Sequence, residues 1–139
     1  MSQSLVIASS AGAVVILLLA IWWFMRHRRR IIHPAYFKQK WLELQRYCAD
    51  RKTWPLAVIS ADKLLEEALK KRGMKGKSMG ERLAAAQHDL SNNDSVWYAH
   101  NLAKKLVDKS VLRLREADVK KALVGVRQAL RDLGALHDR

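Results

Sequence analysis

Cysteine is almost absent from this chain, since Cys48 is the only one among 139 residues. A single cysteine excludes an internal disulfide, and it also excludes a zinc site built from several cysteine ligands. One unpaired cysteine is typical of a protein in a reducing compartment such as the cytoplasm. This residue therefore indicates neither a crosslinked scaffold nor a cysteine-built metal centre.

Acidic residues are also scarce, because 13 Asp and Glu face 26 Lys and Arg, which gives a formal net charge of +13. All of the acidic residues lie in the 106 residues from Pro34 onward, a length that suits one domain. That segment alone remains strongly basic. Such a balance suits an anionic partner, namely lipid headgroups, nucleic acid or an acidic protein.

Charge is missing altogether from residues 5–25, a run that becomes strongly apolar in its second half. A helix of this length measures about 32 Å, which is enough to cross a bilayer core. A secretory signal peptide is the main alternative, but it needs a basic start, a shorter apolar run and a cleavage site. The sequence therefore predicts an uncleaved transmembrane helix over 5–25.

Four arginines follow this run directly, and no Lys or Arg precedes it. Basic residues collect on the cytoplasmic side of membrane helices, so we expect a single-pass cell-membrane protein with its N-terminus outside. Residues 1–4 are then a short extracytoplasmic tail, residues 26–33 a basic linker and residues 34–139 a cytoplasmic domain. The predicted contacts with anionic lipid headgroups are Arg26, Arg28, Arg29 and Arg30.

Small residues recur four positions apart near the start of the apolar run, at Ala8 and Gly12. Such pairs let two membrane helices approach closely, which suggests a homodimer. The alternative is that small residues are simply common in membrane helices.

Strand patterns are missing after residue 33, apart from the ambiguous Val111 and Leu112, and no repeat is present. Apolar residues instead follow the helical period in several segments. Helix boundaries are indicated by Pro34, by Thr53 with Pro55, by Gly73 and by a capping box of Ser78 with Glu81. The predicted fold class is all-α, with the transmembrane helix followed by a bundle of four to five helices.

The loop Gly73–Ser78 is rich in glycine and lysine, but it is not a Walker phosphate loop, because its glycines are too close and a helix precedes it. Two interpretations remain open. The cations around it form a surface for an anionic partner, or they are ordinary helix-end charges beside a solvated turn. The candidate residues of that surface are Lys70, Lys71, Arg72, Lys75 and Lys77.

His100 lies on the apolar stripe of a predicted helix, where it is either a ligand or base, or a core histidine with one hydrogen bond. No Asp, Glu, Cys or second His stands three or four residues away, as a metal site would require. No nucleophile and base form a local signature either. We therefore predict no catalytic residue, no metal site and no cofactor.

Three segments between residues 54 and 133 form a recognisable pattern, namely Ala61–Leu65, Gly76 with Met79–Leu83, and Trp97–Leu102. They resemble a group of uncharacterised bacterial single-pass proteins, whose helical domains are similar to the HEPN superfamily of RNases and nucleotide-binding proteins. In the HEPN nuclease signature an Arg, an Asn and a His follow this region. In this chain these positions fall on Ala103, Lys104 and Asp108. The resemblance thus implies a HEPN-like helical fold without the nuclease chemistry.

Two functions follow from these observations. The first is a membrane-anchored, non-catalytic helical interaction module that docks a protein partner. The alternative is a HEPN-like nucleic-acid-binding protein or RNase, which the positive charge and the resemblance favour.

Overall fold

All the secondary-structure elements in the part of the chain that the structure describes are helices. A computed structural model describes residues 2–27, 32–109 and 113–137, with the side chains of all these residues except 2, 4–9, 26 and 27. This confirms the predicted all-α class. The α-helices are α1 (Ser2–His27), α2 (Pro34–Gln45), α3 (Trp54–Lys71), α4 (Met79–Ala85), α5 (Asn93–Val107) and α6 (Glu116–Asp132).

Helix α1 contains the apolar run, and the structure corrects the prediction made from it. Over the described residues, no helix combines the length and the apolar character that a membrane crossing requires. This finding contradicts the predicted transmembrane helix over 5–25, and with it the predicted single-pass localisation.

The predicted lipid contacts and the predicted dimer face are largely untested. Arg26 belongs to α1, but its side chain is not described, and Arg28, Arg29 and Arg30 lie outside the described residues. The side chain of Ala8 is likewise not described. Gly12 lies on an exposed stretch of α1, where an added Cβ would meet nothing within 4 Å.

Helix α3 is the centre of the bundle, because it packs against α2, α4, α5 and α6. Its buried residues recur every three or four positions, so they form one apolar stripe along the helix. Leu65 and Leu69 on this stripe are completely buried. The contribution of α3 to the core consists of Ala57, Val58, Ala61, Leu64, Leu65, Ala68 and Leu69.

The ends of α3 show one correct and one incorrect prediction. Gly73 has a φ of 77° and follows the end of the helix, as predicted, and the N–H of Met74 bonds the carbonyl of Leu69 at 3.0 Å. Thr53 stands at the N-cap position, but its side chain does not cap α3. Its hydroxyl donates instead to the carbonyls of Tyr47 and Asp50, because two short 3₁₀ turns bring these within reach.

Candidate binding site between the α3–α4 turn and α5

The predicted cationic residues are held together where α3 ends and the chain turns into α4. Lysines 70, 71, 75 and 77 are exposed, and Arg72 is half-buried. We call this set, Lys70, Lys71, Arg72, Lys75 and Lys77, the basic surface. Gly76 packs so tightly that an added Cβ would lie 2.8 Å from Cβ of Glu81 and 2.9 Å from the backbone nitrogen of Arg82. The loop is therefore fixed against α4.

Both residues of the predicted capping box fix the end of this loop. The Ser78 hydroxyl accepts a hydrogen bond from the Glu81 N–H at 3.2 Å, which caps α4. The Glu81 carboxylate accepts from the N–H of Lys77, one residue earlier than the reciprocal bond of a standard box. The backbone that carries the basic surface is thus hydrogen-bonded in place.

Only one lysine of the basic surface is paired among the described residues. Lys70 Nζ lies 3.6 Å from a carboxylate oxygen of Glu66, and Arg82 bonds the same oxygen at 3.0 Å. Lys71, Lys75 and Lys77 form no ion pair with any described residue. Most of the positive charge at this turn therefore faces solvent without internal compensation.

His100 is a core histidine, buried to 93 %, and it pairs with an acid from another helix. Its Nδ1 lies 3.1 and 3.2 Å from the two carboxylate oxygens of Asp62 on α3. The Trp97 ring meets the imidazole edge-on at a centroid distance of 6.0 Å. Because Asp62 occupies Nδ1, it orients the ring and leaves Nε2 on the opposite side.

Asp62 was not predicted from the sequence, because a partner of His100 was expected only three or four residues away. The two residues are 38 positions apart, and only the packing of α3 against α5 brings them together. The sequence nevertheless contains a signal from which Asp62 could have been identified. Asp62 follows Val58 by four positions and precedes Leu65 by three, so an acid interrupts the edge of an apolar stripe. A half-buried acid of this kind needs a partner.

A pocket of about 310 Å³ opens beside His100, between the start of α4 and the exposed side of α5. Among the described residues, no acidic side chain lines it. Ser78 directly follows the basic surface in sequence, so the pocket and the basic surface are neighbours. Its lining consists of Ser78, Met79, Gly80, Trp97, His100, Asn101 and Lys104.

An ionic cluster on the far side of α5 holds this helix against α6. The Tyr98 hydroxyl donates to Asp118 at 3.1 Å, and Lys121 Nζ lies 4.2 Å from the centre of the Tyr98 ring. Burial, reinforced by the bond to Asp118, raises the pKa of the Tyr98 phenol. The hydrogen bond from the Arg115 side chain holds the pKa of the Asp118 carboxyl below its usual range. These contacts fix the helix that carries His100.

A second basic cleft, of about 460 Å³, lies between α2 and α6 and includes Lys38 and Arg127. Its apolar floor contains Trp41 and Leu136. This cleft was not predicted from the sequence. Its cations make it a second candidate site for an anionic partner, in competition with the basic surface.

The three positions of the HEPN nuclease signature lie along the end of α5. Ala103 is buried, Lys104 lines the His100 pocket, and Asp108 is exposed directly after the helix. Within the described ranges, no group of three or more His, Cys, Asp or Glu is placed to hold a metal ion. Comparisons of the chain with protein-family models, curated proteins and solved structures return no match, so the resemblance stays a prediction.

We expect Asp62→Asn to lower the free energy of unfolding by about 1 kcal/mol. The amide keeps an acceptor for Nδ1–H but loses the negative charge, and charge-assisted hydrogen bonds are roughly twice as strong as neutral ones. Urea unfolding monitored by circular dichroism measures the change. Asp89→Asn is the control, because Asp89 is exposed and should tolerate the same change. Equal stability of the two variants would contradict the structural role of the Asp62–His100 pair.

Proposed function

We propose that this protein is a non-catalytic helical interaction module that docks an acidic protein segment on the basic surface. The observation that carries the proposal is the end of α3 with the fixed loop that follows it, which present Lys71, Lys75 and Lys77 to solvent without ion pairs to any described residue. A prearranged set of uncompensated cations attracts an anionic partner and limits the entropy lost on binding.

The charges around the basic surface favour a protein segment over a uniform polyanion. Glu67 stands one helical turn before Lys71, and Glu81 reaches back to the N–H of Lys77; both acids are exposed. A nucleic-acid backbone places negative charge at every phosphate and would be repelled by these two carboxylates. An acidic peptide can instead place neutral or basic residues opposite them.

Single-stranded RNA is the second candidate partner, and one observation favours it. Trp97 lines the His100 pocket together with Lys104, and aromatic rings beside cations are used to stack bases of single-stranded nucleic acid. This candidate retains the nucleic-acid alternative drawn from the sequence.

Charge removal on the basic surface tests the proposal. In the triple variant Lys71→Gln, Lys75→Gln and Lys77→Gln, we expect the affinity for a labelled peptide, in which glutamates alternate with neutral residues, to fall about tenfold, since three exposed contacts are each worth up to about 1 kcal/mol. Fluorescence anisotropy on the 139-residue chain measures the binding. The control, with Lys52→Gln, Lys63→Gln and Lys120→Gln, removes the same charge from exposed positions elsewhere.

Equal losses in the two triple variants would mean that only net charge matters, and would contradict a specific basic surface. An RNA oligonucleotide of matched charge is titrated in parallel. RNA binding that exceeds peptide binding and falls steeply with salt would favour the second candidate over the first.

A further inference from the structure

Three side chains that line the His100 pocket carry hydrogen-bond donors. The Ser78 oxygen accepts from the Glu81 N–H, which leaves its own O–H free to donate into the pocket. Asn101 and Lys104 lie one helical turn apart or less on α5, are exposed, and have no side-chain partner among the described residues. Within this part of the chain, the pocket thus combines a hydroxyl, an amide and an ammonium group, with no carboxylate in its lining.

His100 adds a fourth polar group, which is buried and preoriented. Asp62 holds Nδ1, and Nε2 has no hydrogen-bond partner among the described residues. The protonated ring donates from Nε2 to an anionic oxygen, and the neutral ring accepts the proton of an acidic P–OH group. Both protonation states of the imidazole therefore suit an anion that itself carries an exchangeable proton near neutral pH.

The remaining lining is apolar. Met79 is almost completely buried, and the ring of Trp97 lies 3.5 Å from the position that a Cβ on Gly80 would occupy. A fully hydrated inorganic ion gains no binding free energy from contact with these apolar residues. An anionic group on a short carbon stem places its charge at the donors and its methylene against the apolar side.

We propose that the His100 pocket receives a phosphorylated serine or threonine side chain of the acidic partner, an inference that rests on the proposed function. A phosphate monoester has three strong acceptor oxygens and a charge of about −1.5 to −2 at neutral pH. A phosphate monoester therefore forms hydrogen bonds with more of the pocket's four polar side chains than a carboxylate does. The acidic residues that flank it then meet Lys75 and Lys77, next to Ser78 in the chain.

Two peptides of one sequence test this inference on the 139-residue chain. One has phosphoserine between glutamates and the other has serine, and isothermal titration calorimetry gives both affinities. We expect the phosphopeptide to bind about tenfold more tightly, as one additional charge-assisted hydrogen bond predicts. Lys104→Gln should abolish this preference without changing the affinity for the serine peptide. Lys120→Gln, which removes the same charge from α6, should leave the preference intact.

The NMR signal of the His100 ring is a second readout. We expect its chemical shift to change when the phosphopeptide is added and to remain constant with the serine peptide, because only the phosphate group contacts Nε2. Equal affinity for the two peptides, with both weakened by the Lys71, Lys75 and Lys77 substitutions, would overturn the phosphate site and leave the proposed function standing. Absence of binding by the serine peptide would instead count against the proposed function. If RNA displaces the phosphopeptide, and if Lys104→Gln weakens RNA binding as much as phosphopeptide binding, the proposal that the pocket receives a phosphorylated side chain of a protein would be overturned.

Discussion

Replacement of Leu65 by alanine is expected to lower the free energy of unfolding by about 2–5 kcal/mol. Leu65 is completely buried at the middle of α3, the helix that packs against α2, α4, α5 and α6. Truncation removes apolar burial and leaves a cavity that three or more helices must close. Since small domains are stable by only about 5–15 kcal/mol, such a loss removes a large part of the total.

Urea unfolding of the Leu65→Ala variant measures this loss, and Leu42→Ala on α2 is the matched control. Leu42→Ala removes the same atoms, but from a side chain that is 52 % exposed. The control should alter stability by no more than about 0.5 kcal/mol. Similar values for the two variants would show that α3 is not the centre of the core.

Substitution of Gly125 by alanine is expected to destabilise the bundle by about 2 kcal/mol. An added Cβ would lie 2.7 Å from the carbonyl oxygen of Ser95 and 3.0 Å from its carbonyl carbon. These are backbone atoms, so α5 and α6 must move apart, at a cost of up to about 3 kcal/mol. The higher helix propensity of alanine offsets roughly 1 kcal/mol of this cost.

The matched control for Gly125 is Gly12→Ala, which adds the same methyl group to a helical glycine in open space. Thermal unfolding followed by circular dichroism compares the two variants. Only Gly125→Ala should lower the melting temperature. If Gly125→Ala is as stable as the unsubstituted chain, α5 and α6 cross at a greater distance than the structure gives.

Local sequence signals predicted the helices of the bundle well. The turn at Gly73 and the cap at Ser78 depend on residues within one helical turn of each boundary, so the sequence contains the whole cause. Thr53 was different, because the 3₁₀ turns before α3 place the Tyr47 carbonyl, six residues earlier in the chain, beside its hydroxyl. The apolar run at 5–25 was misleading, since its composition alone predicted a spanning helix that the described residues do not support.

The sequence predicted the basic surface but not the His100 pocket, because the pocket depends on contacts between residues that are far apart in the chain. The basic surface is nearly contiguous in the chain, so the order of the residues alone was enough to group its lysines. The His100 pocket joins Ser78, the cap of α4, to Lys104 on α5, and no sequence period relates these positions. The buried pair of Asp62 and His100 likewise depends on how α3 packs against α5.

The central claim is that an acidic partner docks at the α3–α4 turn, and an NMR titration tests it most directly. Backbone amide signals of the 139-residue chain are followed as a glutamate-rich peptide is added. We predict that the largest shifts fall on residues 70–78, with small shifts at Lys38 and Arg127 in the competing α2–α6 cleft. Shifts concentrated in that cleft, or spread evenly over all exposed lysines, would contradict the claim.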